Sequence, residues 1–364
     1  ARTAAAAYAA RHGIGGGDMT RRPIGYYVHH HGAGHRARAQ AIADASTWPI
    51  TLLGTGVGEA GIDLADDRPV SGRFDGVDAS GGRPAALHYA PIDHDGVRMR
   101  VARVAQWIAT ERPALMVVDV SVEMAMLARL ASVPTVCVRL NGERNDAPHV
   151  AAFRSATALL APFHADLELA STPTWVRERT CYLPGITQAA PGAMPSSGRI
   201  LVVFGRGGAP GDGARLAEAA RACPDVQWRA IGPVSPVGDC PPNLEIAGWV
   251  DDAAREICAA DVVIGAAGEG LVGAILVTDR PFICLPEARP FGEQQATASG
   301  LARLGAAVVL QDWPEAAAWP SLLAQAKALP SQARQRLHNP QGAQAAAQWL
   351  GRQVAKLCAG TMSA

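Results

Sequence analysis

Residues 261–305 constrain the fold more than any other stretch of the chain. Two short, uninterrupted apolar runs, Val262–Ile264 and Phe282–Leu285, are closed by Gly265 and Pro286. Such runs are typical of parallel strands that are covered on both faces. A glycine-rich loop and an apolar segment of helical length lie between them. The order of strand, glycine loop, helix and strand predicts a βαβ unit, and therefore a parallel sheet.

The loop Gly265–Gly270 falls where a strand passes into a helix. The free backbone N–H groups and the positive end of the helix dipole at such a point can hold a phosphate. Many helices also begin after glycine for steric reasons, so the loop alone has two interpretations. Glu293, Gln294 and Gln295 follow the second strand. Three adjacent hydrogen-bonding side chains suit a ligand rich in hydroxyl groups better than an apolar one.

The rest of the chain repeats the alternation of strand and helix, which predicts an α/β protein with doubly wound parallel sheets. Its 364 residues favour two domains. Residues 184–199 are rich in proline and glycine and read as the boundary between them. We therefore predict five segments: a tail at 1–22, a first domain at 23–185, a linker at 186–199, a second domain at 200–335, and a C-terminal helix at 336–364 that packs back toward the first domain.

Two polar residues of the first half stand where strands are expected to end. His35 follows the strand Ile24–His29, and Asp119 follows the strand Ala114–Val118. Open α/β sheets bind ligands at this end of their strands. A histidine there can act as a general base or can merely cap the turn. Asp119 can orient His35, act as the base itself, or cap the helix that begins near Ser121.

The pattern in the second half resembles the donor-binding motif of GT-B glycosyltransferases, especially the MurG-like group that builds the lipid-linked disaccharide of peptidoglycan. In that group a glycine-rich loop holds the diphosphate of a nucleotide sugar, and a Gln pair holds the sugar. The matching segments here are Gly268–Leu271, Gln294/Gln295 and the following Ala296–Gly305. The resemblance implies a donor site formed by Gly205, Arg206, Gly207, Gly208, Trp249, Val250, Gly268, Glu269, Gly270, Leu271, Glu293, Gln294 and Gln295.

The sequence Gly32–His35 resembles the GxGH motif at the same place in MurG-like enzymes, in diacylglycerol glycosyltransferases and in certain nucleotide-sugar hydrolases. In these proteins the histidine faces the reacting centre. This resemblance favours His35 as the catalytic base, with Asp119 beside it. Acceptor-binding candidates are Gly34, Arg38, Arg144 and His149, although a plain polar loop explains the last two equally well.

One departure from the family pattern concerns the nucleotide. MurG-like proteins carry a glutamate a few residues into the helix, where it binds the ribose hydroxyls. Ala274 stands at that position here, and Glu269 lies nearby but out of register. The sequence therefore predicts a nucleotide-diphosphate sugar, with UDP-sugars as the first choice, and does not fix the base.

Composition excludes several other classes. Lys+Arg and Asp+Glu both number 33, and aromatic residues make up 5% of the chain. Neither value indicates a nucleic-acid surface. Seven scattered cysteines without a CxxC pair predict free thiols in a reducing cytosol. No apolar run approaches the ~20 residues of a membrane span, and no signal peptide is recognised. Peripheral contact with the inner face of a membrane stays open, as in relatives with lipid acceptors.

Taken together, the residues and the resemblance predict two Rossmann-like, doubly wound domains of the GT-B type with an active site in the cleft between them. The expected reaction is inverting, metal-independent transfer of a sugar to an acceptor hydroxyl, with no cofactor. One alternative is a nucleotide-sugar hydrolase in which His35 activates water, and its GxGHxxR pattern is matched by Gly32, Gly34, His35 and Arg38. A second alternative is a GT-B-like protein that binds a nucleotide sugar without catalysis.

Overall fold

A computed structural model describes residues 22–29, 33–58, 61–69, 84–186, 197–205 and 208–362. The predicted tail up to residue 21 and most of the predicted linker lie outside these ranges. Gly32, Arg206 and Gly207 also lie outside the described residues.

The first sheet contains seven parallel strands in the described part of the chain, in the order β3-β2-β1-β4-β5-β6-β7. Strands β1 to β7 are Ile24–Tyr27, Ile50–Gly54, Ile62–Asp63, Leu115–Asp119, Thr135–Val138, Ala158–Ala161 and Thr180–Tyr182. Helices α1 to α5 are Ala33–Asp44, Asp95–Glu111, Val122–Leu130, Ala147–Ser155 and Thr174–Arg179. A short 3₁₀ turn occupies Ala165–Leu167.

The second sheet contains six parallel strands in the described residues, in the order β10-β9-β8-β11-β12-β13. Strands β8 to β13 are Arg199–Val203, Gln227–Ile231, Leu244–Gly248, Val262–Gly265, Phe282–Cys284 and Val308–Val309. Helices α6 to α12 are Gly213–Ala222, Ala253–Ala259, Glu269–Thr278, Glu293–Arg303, Trp319–Ala328, Ser331–Gln335 and Gly342–Met362. Two 3₁₀ turns lie at Pro290–Gly292 and Ala316–Ala318.

Each sheet is covered by helices on both faces. The central strands β1, β4, β5, β11 and β12 are buried throughout, whereas β7, β10 and β13 are partly exposed. Four apolar clusters divide between the two faces of the two sheets. Helix α12 supplies Ala346, Leu350 and Val354 to the cluster that also contains Ile24 of β1. The last helix of the chain therefore packs on the first domain. The predicted fold class, two doubly wound parallel-sheet domains, is confirmed.

The strand orders place a topological switch point in each sheet. In the first sheet the order reverses between β1 and β4, and in the second between β8 and β11. The helices that follow β1 and β4 leave the sheet in opposite directions, which opens a crevice at the carboxyl ends of these strands. His35 follows β1 and Asp119 ends β4, whereas Gly205 follows β8 and Gly268 follows β11. Both predicted motifs thus flank a switch point.

Several local details differ from the sequence expectation. Strand β3 was not predicted, because Ile62–Asp63 is only two residues long and pairs at the sheet edge. Helix α1 begins at Ala33, so His35 lies within its first turn rather than ahead of it. Ile186 is buried in the core of the first domain, although it was assigned to the linker.

No helix among the described residues is long and apolar enough to cross a membrane.

Candidate active site

His35 and Asp119 are hydrogen-bonded partners at the switch point of the first sheet. His35 Nδ1 lies 2.9 Å from Asp119 Oδ1. An ionised carboxylate only accepts hydrogen bonds, so the bond to Asp119 requires the proton on Nδ1 and leaves the lone pair on Nε2. Arg38 Nη2 also lies 2.9 Å from Nδ1, and in this tautomer it donates to Asp119 instead. The side chain of His35 is 13% exposed, whereas that of Asp119 is fully buried. The pair therefore has the arrangement of a general base that is oriented by a buried carboxylate.

Arg38 holds the same carboxylate from the next turn of α1. Its Nη2 donates to Asp119 at 2.8 Å, and Tyr26 Oη lies 3.5 Å from Asp119 Oδ2. Burial alone raises the pKa of Asp119, but Arg38 and His35 outweigh this effect and hold the pKa well below its ordinary value. Asp119 is therefore a permanent anion, which suits it to orient His35 rather than to take a proton.

The chain folds sharply after Asp119. Val120 has φ of 54°, in the left-handed region that a β-branched residue rarely adopts. Ser121 then caps α3, because its Oγ accepts from the N–H of Met124 at 3.2 Å. The helix cap is thus Ser121, and the side chain of Asp119 is engaged with His35 and Arg38. Strained backbone of this kind clusters at functional sites in proteins.

Arg38 also joins the two domains. Its Nη1 donates to Glu269 Oε1, at the first turn of α8 in the second domain. Burial lowers the pKa of Arg38, but Asp119 and Glu269 raise it well above its ordinary value, so the guanidinium stays charged. Arg38 was predicted to bind the acceptor. The structure instead places it at 1% exposure, between the dyad and the helix of the predicted donor loop.

The predicted diphosphate loop ends at Gly268, which is the N-cap of α8. Gly268 offers no side-chain cap, so the first backbone N–H groups of α8 are available at the helix N-terminus. Gly270 and Leu271 lie in its first turn. Gln294 fixes this loop from α9: its Oε1 accepts from the N–H of Ala267 at 3.2 Å and of Glu287 at 2.8 Å. Gln294 is 5% exposed, so part of its hydrogen-bonding capacity holds the loop itself.

The other predicted donor residues surround the same helix ends. Gln295 is exposed, and its Nε2 donates to the carbonyl of Glu287. Trp249 is 57% exposed, directly after β10, and Val250 packs at the edge of the core. Gly208 approaches Glu287 so closely that a Cβ there would collide with the carboxylate. Gly205 follows β8. The structure thus brings the described members of the set to one edge of the second sheet.

Arg144 and His149, both predicted to bind the acceptor, belong to a buried polar cluster near the domain interface. Arg144 donates to Glu293 at 3.2 Å and lies 3.1 Å from His149 Nε2. His149 Nδ1 lies 2.6 Å from Asp146, which also contacts His88 Nε2 at 2.7 Å. Burial and the charge of Arg144 lower the pKa of His149 to about 4.

The pKa of Asp146 also shifts. Burial raises it, but hydrogen bonds from His149 and His88 prevail and lower it to about 2.

Several residues of these sites were not predicted as functional. Tyr26 and His88 contact the key carboxylates, and Phe291 stacks on the buried cluster from the second domain. Tyr26 looks like any buried strand residue in the sequence. His88 gives no functional signal in the sequence, because its partner Asp146 lies 58 residues away. Such long-range contacts leave no periodic signal in a single sequence.

The chain contains one Asp-x-Asp triplet, Asp93 to Asp95. Both carboxylates are at least 87% exposed and pair with Arg98 near the start of α2. Asp93 precedes α2 and Asp95 is its first residue, on a different segment from the dyad and from the glycine loop. This triplet therefore contributes no part of the predicted donor site.

Comparison with known proteins supports the fold. No protein-family model and no curated protein sequence matches the chain. Among solved structures, MurG of Acinetobacter baumannii has a TM-score of 0.59 at 16% identity and covers 91% of this chain and 99% of that chain. Arabidopsis thaliana UGT89C1 complexed with UDP has a TM-score of 0.65 at 13% identity, with coverage of 93% and 100%.

The spinosyn rhamnosyltransferase SpnG complexed with thymidine diphosphate is a third similar structure. Its TM-score is 0.52 at 19% identity, with 94% of this chain and 99% of that chain covered. Identities this low establish the architecture, which is the GT-B fold, and nothing about the reaction.

Proposed function

We propose that this chain with the GT-B fold is an inverting glycosyltransferase that moves a sugar from a nucleoside-diphosphate sugar to an acceptor hydroxyl. The observation that carries the proposal is the His35–Asp119 dyad at one switch point, linked through Arg38 to the glycine-capped helix α8 at the other. A base and an anion-binding helix end thus meet across the cleft between the domains. Two of the similar structures are complexes with UDP and with thymidine diphosphate, and UDP-sugars are the first donors to test.

The reaction follows from the roles of these groups. His35 Nε2 takes the proton of the acceptor hydroxyl, and the resulting oxygen attacks the anomeric carbon. The bond from that carbon to the diphosphate breaks on the opposite face, so configuration inverts and the nucleoside diphosphate leaves. Asp119 stabilises the imidazolium that forms. The N–H groups at the start of α8 stabilise the charge on the leaving phosphate, and this scheme requires no metal.

We infer the donor and acceptor contacts from the places that these residues occupy in the structure. Gln294, Gln295 and Glu293 would face the sugar, and Trp249 with Val250 would contact the base. Arg144 and His149 would shape the acceptor side from beneath, since both are buried. Ala274 provides no ribose-binding carboxylate, so the helix recognises the donor through its backbone and through Glu269.

The direct test measures nucleoside-diphosphate release from a panel of UDP- and TDP-sugars, with and without a panel of hydroxylated acceptors. The wild type should release diphosphate, and His35→Ala should lower the rate by about 10²- to 10⁴-fold. His94→Ala is the matched control, because His94 caps α2 away from the dyad. Acceptor-independent release would establish hydrolysis, with water as the nucleophile. Turnover in His35→Ala equal to that of the wild type would contradict the assignment.

A further inference from the structure

One cluster outside the proposed reaction brings two imidazoles onto one carboxylate. Asp146 Oδ1 lies 2.7 Å from His88 Nε2, and Asp146 Oδ2 lies 2.6 Å from His149 Nδ1. The two imidazole rings are 4.4 Å apart between centroids. Each of the three residues offers one ligand atom, and these atoms all lie within 4.8 Å of one another. Two imidazoles and a carboxylate at such separations form a common ligand set for transition metals.

The backbone holds each of these ligands in place. Asp146 is the N-cap of α4, and its carboxylate accepts from the N–H of His149 at 3.2 Å, three residues later. His88 belongs to the segment before α2, and Glu123 accepts from its backbone N–H at 2.7 Å. The ligand atoms therefore converge from two separate segments without a rearrangement of the chain.

The surroundings favour a cation and leave it accessible. Glu123 accepts from the backbone N–H of His88, and Glu293 pairs with the guanidinium of Arg144, so both carboxylates add negative charge beside the cluster. The side chains of His88 and Asp146 are 28% and 35% exposed, which gives an ion a path from solvent and leaves a coordination position for water. Phe291 of the second domain closes the other side, with ring centroids 4.8 Å from His149 and 5.4 Å from His88.

We propose that His88, Asp146 and His149 bind a divalent transition metal, with Zn²⁺ as the best match to their chemistry. Imidazole nitrogen is a poor ligand for Mg²⁺ and Ca²⁺, which prefer oxygen. Tetrahedral zinc places its ligand atoms about 3.4 Å apart, as its bond lengths require. The two contacts to Asp146 must therefore open by less than about 1 Å, and the two imidazole nitrogens, which lie within 4.8 Å of each other, must come to the same spacing. The metal would tie the segment before α2 to α4, directly under Phe291.

Metal binding requires His88 and His149 to change which ring nitrogen carries the proton. Both histidines now direct a proton at Asp146, and the metal takes the place of these hydrogen bonds. Each imidazole then carries its proton on the opposite nitrogen. For His149 that nitrogen faces Arg144 at 3.1 Å, so Arg144 gives up this contact and keeps its bonds to Glu293 and to the Leu140 carbonyl.

The test is a titration of the chelator-treated full chain with Co²⁺, followed by displacement with Zn²⁺. The wild type should show one saturable site with visible absorption typical of nitrogen and oxygen ligands. His88→Ala and Asp146→Asn should each weaken binding at least about tenfold. Asparagine also caps helices, so Asp146→Asn removes the charge and keeps the start of α4.

The control is His164→Ala. His164 also stands near a carboxylate, Asp166, and is 30% exposed, but it has no third ligand in the described group. This variant should bind as the wild type does. Wild-type affinity in His88→Ala would overturn the proposal, because that variant retains the three histidines 29–31 and all seven cysteines. Thiolate-to-cobalt charge-transfer absorption as the main signal would likewise assign the metal to cysteine and overturn it.

Discussion

A single buried carboxylate, Asp119, organises the chemistry at the residue scale. It accepts from His35, Arg38 and Tyr26 at once, although it is fully buried. A carboxylate in that position is stable only because its partners neutralise it. The same contacts fix the tautomer of His35, so the stability of the site and the orientation of the base have one origin.

The depressed pKa of Asp119 predicts a specific pH dependence of stability. A carboxyl group with a folded pKa below its unfolded value stabilises the protein above the unfolded value, and the effect disappears as pH falls. Asp119→Asn should therefore lower the free energy of unfolding at pH 7 by about 3 kcal/mol or more, because it leaves Arg38 buried without that charge. Urea unfolding from pH 7 to pH 3 measures this. The difference between the two proteins should shrink below about pH 4, and a constant difference would contradict the account.

Gln294 offers a test that separates loop support from ligand binding. Gln294→Ala removes the acceptor of two backbone N–H groups, those of Ala267 and Glu287, and should cost about 1–3 kcal/mol of stability. Gln294→Glu keeps an oxygen acceptor for both but buries a carboxylate, so it should regain stability relative to Gln294→Ala as the pH falls and the carboxyl group becomes neutral. If the Nε2 of Gln294 contacts the sugar, Gln294→Glu should still bind nucleotide sugars more weakly. Thermal unfolding with and without ligand measures both effects, and equal stability of Gln294→Ala and wild type would refute the loop role.

At the scale of secondary-structure elements, the residues of the proposed site lie at the points where the strand order reverses. The β1 and β4 ends carry the dyad, and the β8 and β11 ends carry the glycine positions. The domains also meet through backbone: the N–H of Glu143 donates to the Phe291 carbonyl at 2.7 Å. Gly142 makes this approach possible, since its φ is 105° and a Cβ there would lie 2.5 Å from the same carbonyl oxygen.

Gly142→Ala should therefore disturb the interdomain contact. The strained φ and the collision with Phe291 together should lower stability by about 1–3 kcal/mol. Gly270→Ala is the control, because its Cβ would meet nothing within 4 Å and its φ is not positive. Alanine within helix α8 should be neutral or should stabilise by about 0.5–1 kcal/mol. Chemical denaturation ranks the three proteins, and an unchanged Gly142→Ala would show that the close approach is dispensable.

Much of this architecture can be predicted from the sequence, and the contacts that cannot be predicted are missed for physical reasons. Buried parallel strands are continuous apolar runs closed by Gly or Pro, so β11 and β12 are found easily. The glycine loop is recognised in the same way, because it begins where an apolar run ends. The Arg38–Glu269 contact spans 231 residues and joins two separate helices, so no local sequence pattern predicts it. Arg144 and His149 were predicted as acceptor-binding candidates or as part of a plain polar loop, and no local sequence pattern predicts that Phe291 packs against them.

For the whole molecule, the two domains form one site only together. In the proposed reaction the first domain would supply the base and the second the anion-binding helix, and Arg38 with Glu269 bridges the two domains. Helix α12 follows the second sheet in the chain and packs on the first, so the chain passes between the domains once before β8 and again before α12. This arrangement fits a cleft that closes on a donor and excludes water.

The measurement that tests this account most directly is the shift of the thermal midpoint with UDP, TDP and their sugars, for wild type, His35→Ala and Gln295→Ala. A ligand that binds only the folded state raises the midpoint. One nucleotide sugar should stabilise the wild type and His35→Ala alike, because the base belongs to the acceptor side, and should stabilise Gln295→Ala less. If no nucleotide or nucleotide sugar shifts the midpoint at millimolar concentration, the second domain does not hold a donor and the proposed reaction is wrong.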